Sequence, residues 1–198
     1  YRMSSEDYWK NLPWGSLVDN FKIRTSYGKM GDDNVTEYLF YDGYNAYQGK
    51  YVMEDGKVAV GFSPRGIPST TLSWIKTSLF NVGFDWGMLN NKLTGSFDFF
   101  ERTRTGLPAS KNDIVLPTEV GFGLPQYNLN GDRNIGWDAS VSYKDKYRDF
   151  NYEIIGNVGF SRKKITKVYN PQFSNSLDYY NNNTQDRWSG GYWGFLSD

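Results

Sequence analysis

Apolar and polar residues alternate along five segments of this chain. Between residues 21 and 27, the odd positions hold Phe, Ile, Thr and Tyr, whereas the even positions include Lys22 and Arg24. A period of two is typical of β-strands whose two faces meet different environments. The pattern predicts strands over residues 20–28, 74–88, 92–103, 131–144 and 150–163.

The apolar faces of the predicted strands carry no charge. They contain no Asp, Glu, Lys or Arg, although these residues make up 22% of the chain. The opposite faces are polar and carry Lys22, Arg24, Asp85, Asp98, Arg102, Asp138 and Glu153. Each strand is therefore expected to separate an apolar environment from an aqueous one.

A short connection predicts a tight hairpin between the second and third predicted strands. Asn90 and Asn91 tolerate the left-handed backbone conformation that a two-residue turn requires. With this turn, Trp86 lies opposite Gly95, where the indole ring can cover the bare backbone and fix the register.

A second hairpin is predicted between the fourth and fifth strands. A polar turn over residues 144–149 places Tyr143 opposite Phe150. The same register places Trp137 opposite Gly156, so that a large ring again covers a glycine.

The connections between strands are alternately short and long. The two short turns alternate with long segments over residues 29–72, 104–129 and 164–198. Short turns therefore gather at one end of the sheet and long loops at the other, as in outer-membrane barrels with short periplasmic turns and long extracellular loops. The sequence therefore predicts an all-β antiparallel meander, and its connections favour an outer-membrane β-barrel.

A soluble protein is the alternative interpretation. Alternating faces also occur in a β-sandwich, where the apolar face packs against a second sheet. Aromatic residues, which make up 18% of the chain, suit strands, membrane interfaces and sugar-binding surfaces alike. A secreted β-sandwich that binds carbohydrate therefore stays open on the pattern alone.

The composition argues against several functional classes. Equal numbers of basic and acidic residues, 22 of each, give no electrostatic footprint for nucleic acid. The absence of His and Cys removes the usual general base and all thiolate ligands. Asp85 and Asp98 face the same side of one hairpin, as the two carboxylates of a glycosidase would, but no cleft accompanies them. We expect no enzymatic role, no cofactor and no metal site.

Aromatic residues are frequent in two of the long segments. The candidate contacts with a substrate or partner are Tyr41, Tyr44, Tyr47, Trp188, Tyr192 and Trp193. Aromatic faces stack on sugar rings and pack against partner proteins. The alternative is that these side chains pack only against their own loops.

Several sequence motifs occur in a recognisable order along the chain. FKIRTSYG at 21–28, followed by GDDN at 31–34, is similar to LKLRASYG…GN. NVGFDWG at 81–87 and NKLTGSFDFF at 91–100 are similar to NVGLDFG and NRLTGSFDYY, and the end of the chain is similar to GYVSDG. The chain thus resembles, over most of its length, the barrel of SusC/RagA-type TonB-dependent transporters of the Bacteroidetes outer membrane.

This resemblance implies a barrel of about 22 strands with a plug in its lumen. Five strands cannot close such a barrel, so residues 1–198 are expected to be a partial TonB-dependent receptor barrel, an arc of a large transmembrane β-barrel. The family implies a location in the cell outer membrane and the import of oligosaccharides or peptides. The implied partners are a SusD-like lipoprotein, outer-membrane lipid, the glycan or peptide substrate, and TonB through a plug region outside these residues.

Overall fold

The described residues form one five-stranded sheet, one two-stranded hairpin and a few short helices. The computed structural model describes residues 1–13, 15, 17–33, 35, 37–53, 55–111, 113–121 and 123–191. The strands are β1 (Val18–Asp32), β2 (Tyr44–Val52), β3 (Val58–Pro64), β4 (Ile75–Met88), β5 (Leu93–Ser110), β6 (Gln126–Tyr147) and β7 (Phe150–Lys167). The α-helices are α1 (Asp7–Lys10) and α2 (Ser176–Asn182), and 3-10 helices span Met3–Ser5 and Thr118–Val120.

The large sheet is a meander. Its strand order is β1-β4-β5-β6-β7, every pair is antiparallel, and the β2–β3 hairpin is inserted between β1 and β4. β1 and β7 are the two edges, so the sheet is an arc and not a closed barrel. The predicted all-β antiparallel meander is confirmed.

The first hairpin has the predicted register. Trp86 pairs with Gly95, and a Cβ added at Gly95 would overlap the indole ring. Asn90 and Asn91 have φ angles of 56° and 58°, which are the left-handed values that the two-residue turn requires. Turn chemistry and ring packing therefore specify the same alignment.

The predicted register of the second hairpin is wrong. β6 continues through the predicted turn, so that Arg148 and Asp149 alone connect it to β7. Trp137 consequently pairs with Phe160 and not with Gly156.

The error displaces partners without changing faces. Tyr143 pairs with Ile154 instead of Phe150, and Gly156 pairs with Val141. Because the displacement is an even number of residues, each side chain keeps its predicted side of the sheet. A ring does cover a glycine elsewhere, since Phe100 lies over Gly136 on the polar face.

The strands extend beyond the predicted bounds into the long segments. β1 exceeds the predicted 20–28 at both ends, β4 follows the predicted 74–88 closely, and the others run beyond 92–103, 131–144 and 150–163. β5 keeps its pairing past Pro108 because the register shifts at Leu107, after Gly106 with a φ of 78°. Proline is tolerated at such irregularities because no ladder hydrogen bond needs its nitrogen.

The segment 29–72, predicted as a loop, contains the β2–β3 hairpin. Its turn includes Asp55 and Gly56, and Gly56 has a φ of 77°. An Asp-Gly pair between alternating segments is a strong hairpin signal, which the sequence prediction overlooked. Likewise, the segment 164–198 begins inside β7 and contains α2.

The helices are short and lie outside the sheet. The α1 residue Trp9 stacks on Phe21, and its indole Nε1 donates a hydrogen bond of 3.2 Å to the Val18 carbonyl oxygen. α2 begins after Asn175, whose side chain accepts a 2.8 Å hydrogen bond from the Asp178 backbone N–H. In the described part of the chain, no helix has the length and hydrophobicity needed to cross a membrane.

In the described part of the chain, no second sheet covers the apolar face of the five strands. Among the described residues, Trp9 and Ile75 are the only buried hydrophobic side chains. On the apolar face, Ile154 is 66% exposed and Val158 is 57% exposed. Among the described residues, the β2–β3 hairpin makes no extensive contact with the sheet. A β-sandwich would bury this face, so the arrangement does not support the soluble alternative.

Aromatic rings form a continuous row on the apolar face. The distances between the centroids of successive rings are 5.4 Å for Trp9–Phe21, 6.0 Å for Phe21–Phe84, 5.4 Å for Phe84–Phe97 and 6.0 Å for Phe97–Trp137. These separations are typical of favourable aromatic pairs. The row makes one apolar surface across four strands and the adjoining helix.

The height of the apolar face matches a bilayer. Along β7 it runs from Phe150 to Phe160, which corresponds to about 34 Å of strand at roughly 3.4 Å per residue. A strand tilted by about 40° then spans roughly 26 Å, close to the apolar band of roughly 25 Å in outer-membrane barrels.

Two adjacent isoleucines of β7 provide a matched test of the membrane-facing surface. Ile154 on the apolar face and Ile155 on the polar face have similar exposure, 66% and 60%. We expect Ile154→Arg to destabilise the full-length protein by about 2–4 kcal/mol, because the charge would enter hydrocarbon. Ile155→Arg should change stability by less than about 0.5 kcal/mol. Urea unfolding in lipid vesicles measures both, and equal effects would contradict the assignment of faces.

Candidate functional site

A three-residue charge cluster lies on the polar face. Arg24 Nε donates to Asp85 Oδ2 at 3.0 Å, and its Nη2 donates to Asp85 Oδ1 and to Asp98 Oδ2, both at 2.8 Å. One guanidinium on β1 thus binds carboxylates on β4 and β5. Because both carboxylates are held by the same cation, the cluster has the features of a structural bridge across three strands.

Two glycines make room for this row of charges. Gly83 lies between Arg24 and Asp98 in the sheet, and a Cβ there would collide with the Asp98 carboxylate. Asp138 pairs with Asp98 and lies over Gly159 on the next strand. The polar side chains therefore lie flat along the sheet and leave the space above it open.

A second cluster ties β5, β6 and β7 together near the long-loop end. Asp132 is buried, with 4% of its side chain exposed. It accepts hydrogen bonds from Arg104 at 2.9 and 2.5 Å and forms an ion pair with Lys163 at 3.1 Å. Paired charges of this kind suit a wall that faces a water-filled lumen.

A groove of about 580 Å³ opens in the segment that connects β1 to β4. We call it the loop groove, and its lining includes Glu37, Tyr41, Asn45, Arg65 and Ile67. Two backbone hydrogen bonds shape it, from Arg65 N–H to the Gly43 oxygen at 2.9 Å and from Ser69 N–H to the Leu39 oxygen at 2.8 Å. The groove combines an exposed ring, both charge signs and an amide in one place.

The aromatic cluster beside the loop groove is exposed. The Tyr41 ring lies 4.6 Å from Phe40 and 6.4 Å from Tyr38, and all three side chains are about 60% exposed. Tyr44 begins β2 and is 70% exposed, but it does not line the groove. Packing within the loop thus leaves most of each ring available for contact.

Trp188 lies on the far edge of the sheet. Its backbone pairs with Lys164 of β7, and the Arg162 guanidinium lies 5.3 Å from its ring. The structure therefore places it at the same end of the sheet as the loop groove, but on the opposite edge strand. It does not line the groove with Tyr41.

The remaining predicted site residues lie where less is described. Tyr47 belongs to β2, and its side chain lies outside the described part. Tyr192 and Trp193 are outside the described residues. The sequence prediction missed Glu37 and Arg65, because nothing in their local sequence shows that β2 and β3 bring residues 37–45 next to residues 65–68. Among the described residues, no group of three or more His, Cys, Asp or Glu is placed to hold a metal ion.

Two curated proteins with similar sequences are both TonB-dependent receptors. The chain is 24% identical over 184 residues to the TonB-dependent receptor SusC of Bacteroides thetaiotaomicron, which covers 91% of this chain and 17% of SusC. It is 20% identical over 169 residues to the TonB-dependent receptor P3 of Formosa agariphila, covering 85% of this chain and 16% of P3. The chain thus spans about one sixth of these curated relatives. No protein-family model matches it.

Solved structures give the same result. The RagAB peptide transporter superposes with a TM-score of 0.62 and 27% identity, over 78% of this chain and 16% of the other. The RagAB peptide importer in its open-open state superposes with a TM-score of 0.61 and 25% identity, over 82% of this chain and 17% of the other.

The fold and the comparisons agree on the class of structure. A single-layer antiparallel sheet with an exposed apolar band on one face and paired charges on the other is the wall of a transmembrane β-barrel. The chain is similar, in sequence and in fold, to a part of the barrel of SusC/RagA-type TonB-dependent transporters of the outer membrane. The family resemblance of the sequence motifs is confirmed.

Acid is predicted to loosen α2, which precedes Trp188 in the last loop. The Asn182 amide donates to Asp178 at 2.6 Å and the Ser174 N–H at 2.7 Å, and these bonds hold the pKa of Asp178 below its ordinary value. A depressed folded-state pKa contributes stability above the ordinary Asp pKa of about 3.9, and this stability is lost as the pH falls through the folded value. Hydrogen exchange over 176–182, corrected for intrinsic rates, should therefore accelerate in acid.

Asp178→Asn serves as the control for this prediction. It keeps the side-chain shape but cannot titrate, so exchange over 176–182 should lose its acid-dependent step. If the step persists in Asp178→Asn, another group controls the helix.

Proposed function

We propose that this chain supplies barrel wall, lumen lining and extracellular loops of a TonB-dependent importer of oligosaccharides or peptides. The observation that carries the proposal is the two-faced sheet. Its apolar face is exposed and charge-free through the band, and its opposite face holds paired charges such as Arg24 with Asp85 and Asp98. Such a wall has lipid on one side and an aqueous passage on the other.

The loop groove supports a role in cargo capture. Tyr41 offers a flat apolar face of the kind that stacks on sugar rings. Glu37 and Arg65 line the same groove and offer opposite charges, which suit the charged termini and side chains of peptides. The RagAB relatives are described as a peptide transporter and importer, which supports peptides as one cargo class.

A SusD-like lipoprotein is the proposed partner at the long-loop end. Three exposed aromatic side chains, Tyr38, Phe40 and Tyr44, lie there. Exposed aromatic residues are favoured at protein interfaces. Energy would come from TonB through a plug, and neither belongs to the residues described above.

We propose that this chain has no enzymatic role. Asp85 and Asp98 are bound by the same guanidinium, so neither is poised as a free general acid. The named relatives are receptors and transporters.

Removing the Tyr41 ring tests cargo capture by the loop groove. In the full-length transporter, expressed in a strain that lacks its own copy, we expect Tyr41→Ala to weaken apparent cargo affinity by about 2- to 10-fold. Uptake of labelled oligosaccharide and labelled peptide at limiting concentration measures the effect for each class. The class whose uptake falls identifies the cargo.

Tyr147→Ala is the matched control. Tyr147 is 68% exposed at the opposite, short-turn end of the sheet, so its loss should leave uptake unchanged. Unchanged uptake of both cargo classes in Tyr41→Ala, with the protein at normal levels in the outer membrane, would refute a role for the groove.

A further inference from the structure

The apolar face becomes basic beyond the apolar band. Toward the long-loop end, the same face continues with Lys29, Lys76, Glu101, Arg133, Arg162 and Lys164. Five of these six side chains are cationic. The short-turn end differs, because its Lys92 is paired with Asp145 at 2.7 Å.

Most of the cations at the long-loop end already have partners. Arg133 binds Glu101 at 2.5 Å, and Lys164 binds Asp186 at 3.3 Å. Arg162 lies over the Trp188 ring. Lys29 lies over the Tyr27 ring, 6.0 Å from its centroid. Within the described ranges, however, neither Lys29 nor Lys76 has a carboxylate at ion-pair distance. The uncompensated positive charge is therefore concentrated at the β1–β4 pair.

These two lysines line one groove of about 570 Å³. We call it the rim groove, and its other lining side chains include Ser73, Trp74, Ser78 and Thr105. Trp74 is 64% exposed, and its ring lies over Gly31, where a Cβ would overlap it. The rim groove thus presents two ammonium groups, an indole, and hydroxyls that include those of Ser73, Ser78 and Thr105.

The segment that carries Trp74 is held in place by a side chain of β6. Asn128 Oδ1 accepts from the Ser73 N–H at 2.6 Å, while its Nδ2 donates to the Ser73 and Gly106 carbonyl oxygens, both at 2.7 Å. This three-way clamp fixes the backbone next to Trp74. The groove is therefore shaped before any ligand arrives, which lowers the cost of binding.

We propose that the rim groove binds the phosphate of a lipid headgroup in the outer leaflet of the membrane. Two lysines without a carboxylate partner among the described residues supply the charge that a phosphate requires, and the hydroxyls supply hydrogen bonds. Tyr27 and Phe80 lie next along the sheet toward the band, and they are 64% and 41% exposed. The acyl chains of a bound lipid would lie against these rings, where a free phosphate would make no contact.

The position of the groove favours a lipid over a soluble anion. It opens on the face that meets hydrocarbon, and an exposed Trp beside it suits the boundary between headgroups and acyl chains. The inference rests on the outer-membrane location and not on the cargo. The result of the Tyr41→Ala experiment on the loop groove therefore does not affect it.

Native mass spectrometry of the full-length transporter in detergent tests the proposal. The probes are phosphatidic acid, diacylglycerol with the same acyl chains, and inorganic phosphate. We expect Lys29→Gln/Lys76→Gln to weaken the tightest phosphatidic acid site by about 30-fold, and Lys76→Gln alone by about fivefold. Lys29→Arg/Lys76→Arg should bind like the parent protein.

Lys57→Gln/Lys111→Gln is the control pair. Both lysines lie away from the rim groove, Lys57 paired with Asp55 and Lys111 over the Tyr127 ring. This pair should bind phosphatidic acid normally, and diacylglycerol should bind weakly to every variant. The proposal is overturned if the Lys29/Lys76 variants bind phosphatidic acid like the parent, if the control pair is weakened equally, or if inorganic phosphate binds as tightly as the lipid. A heat-modifiable band on gels verifies that each variant is folded. If the Lys29→Gln/Lys76→Gln variant does not fold, the binding of phosphatidic acid to Lys76→Gln alone decides between the outcomes.

Discussion

Backbone amides and carbonyls placed in hydrocarbon have no water to bind, so a strand that crosses a bilayer needs a paired strand on each side. β4, β5 and β6 meet this requirement within the arc, because each lies between two antiparallel neighbours. Both edge strands are partly covered as well. Tyr1 exchanges backbone hydrogen bonds of 2.7 and 2.8 Å with Ile23 of β1, and the Ser189 N–H donates to the Lys163 oxygen of β7 at 2.7 Å. The remaining free edges are the places where an arc of a barrel must continue.

This pairing requirement also determines the side chains. A fully paired strand presents successive side chains to opposite faces of the sheet. Apolar residues that contact lipid and polar residues that line the lumen must therefore alternate along it. The apolar face is held by packing, as in the ring row from Trp9 to Trp137. The polar face is held by ion pairs that cross strands, such as Arg24 with Asp98 and Arg104 with Asp132. In the part of the chain that the structure describes, neither face has a protein core behind it, which is why so few side chains are buried.

The sequence predicted the faces of the strands well and their lengths poorly, for one physical reason. Alternation is visible only where one face is apolar, and beyond the apolar band that face carries residues such as Arg133 and Arg162, although pairing continues. A register was predictable where a specific turn fixed it, as at Asn90 and Asn91. For Trp137, pairing with Gly156 and pairing with Phe160 fit the alternation of faces equally well. The structure has the pairing with Phe160, which goes with the shorter turn. The loop groove was not predictable, since it depends on contacts between residues distant in sequence.

A lipid and water accessibility scan along β7 tests the central claim most directly. The chain contains no Cys, so single cysteines at each position from 154 to 160 of the full-length, otherwise cysteine-free protein can carry a fluorophore in bilayers. Lipids brominated on their acyl chains should quench the even positions, and a water-soluble quencher should act on the odd positions. Even positions that are shielded from both quenchers would mean that another protein layer covers the apolar face, and the account of this chain as a barrel wall would then be wrong.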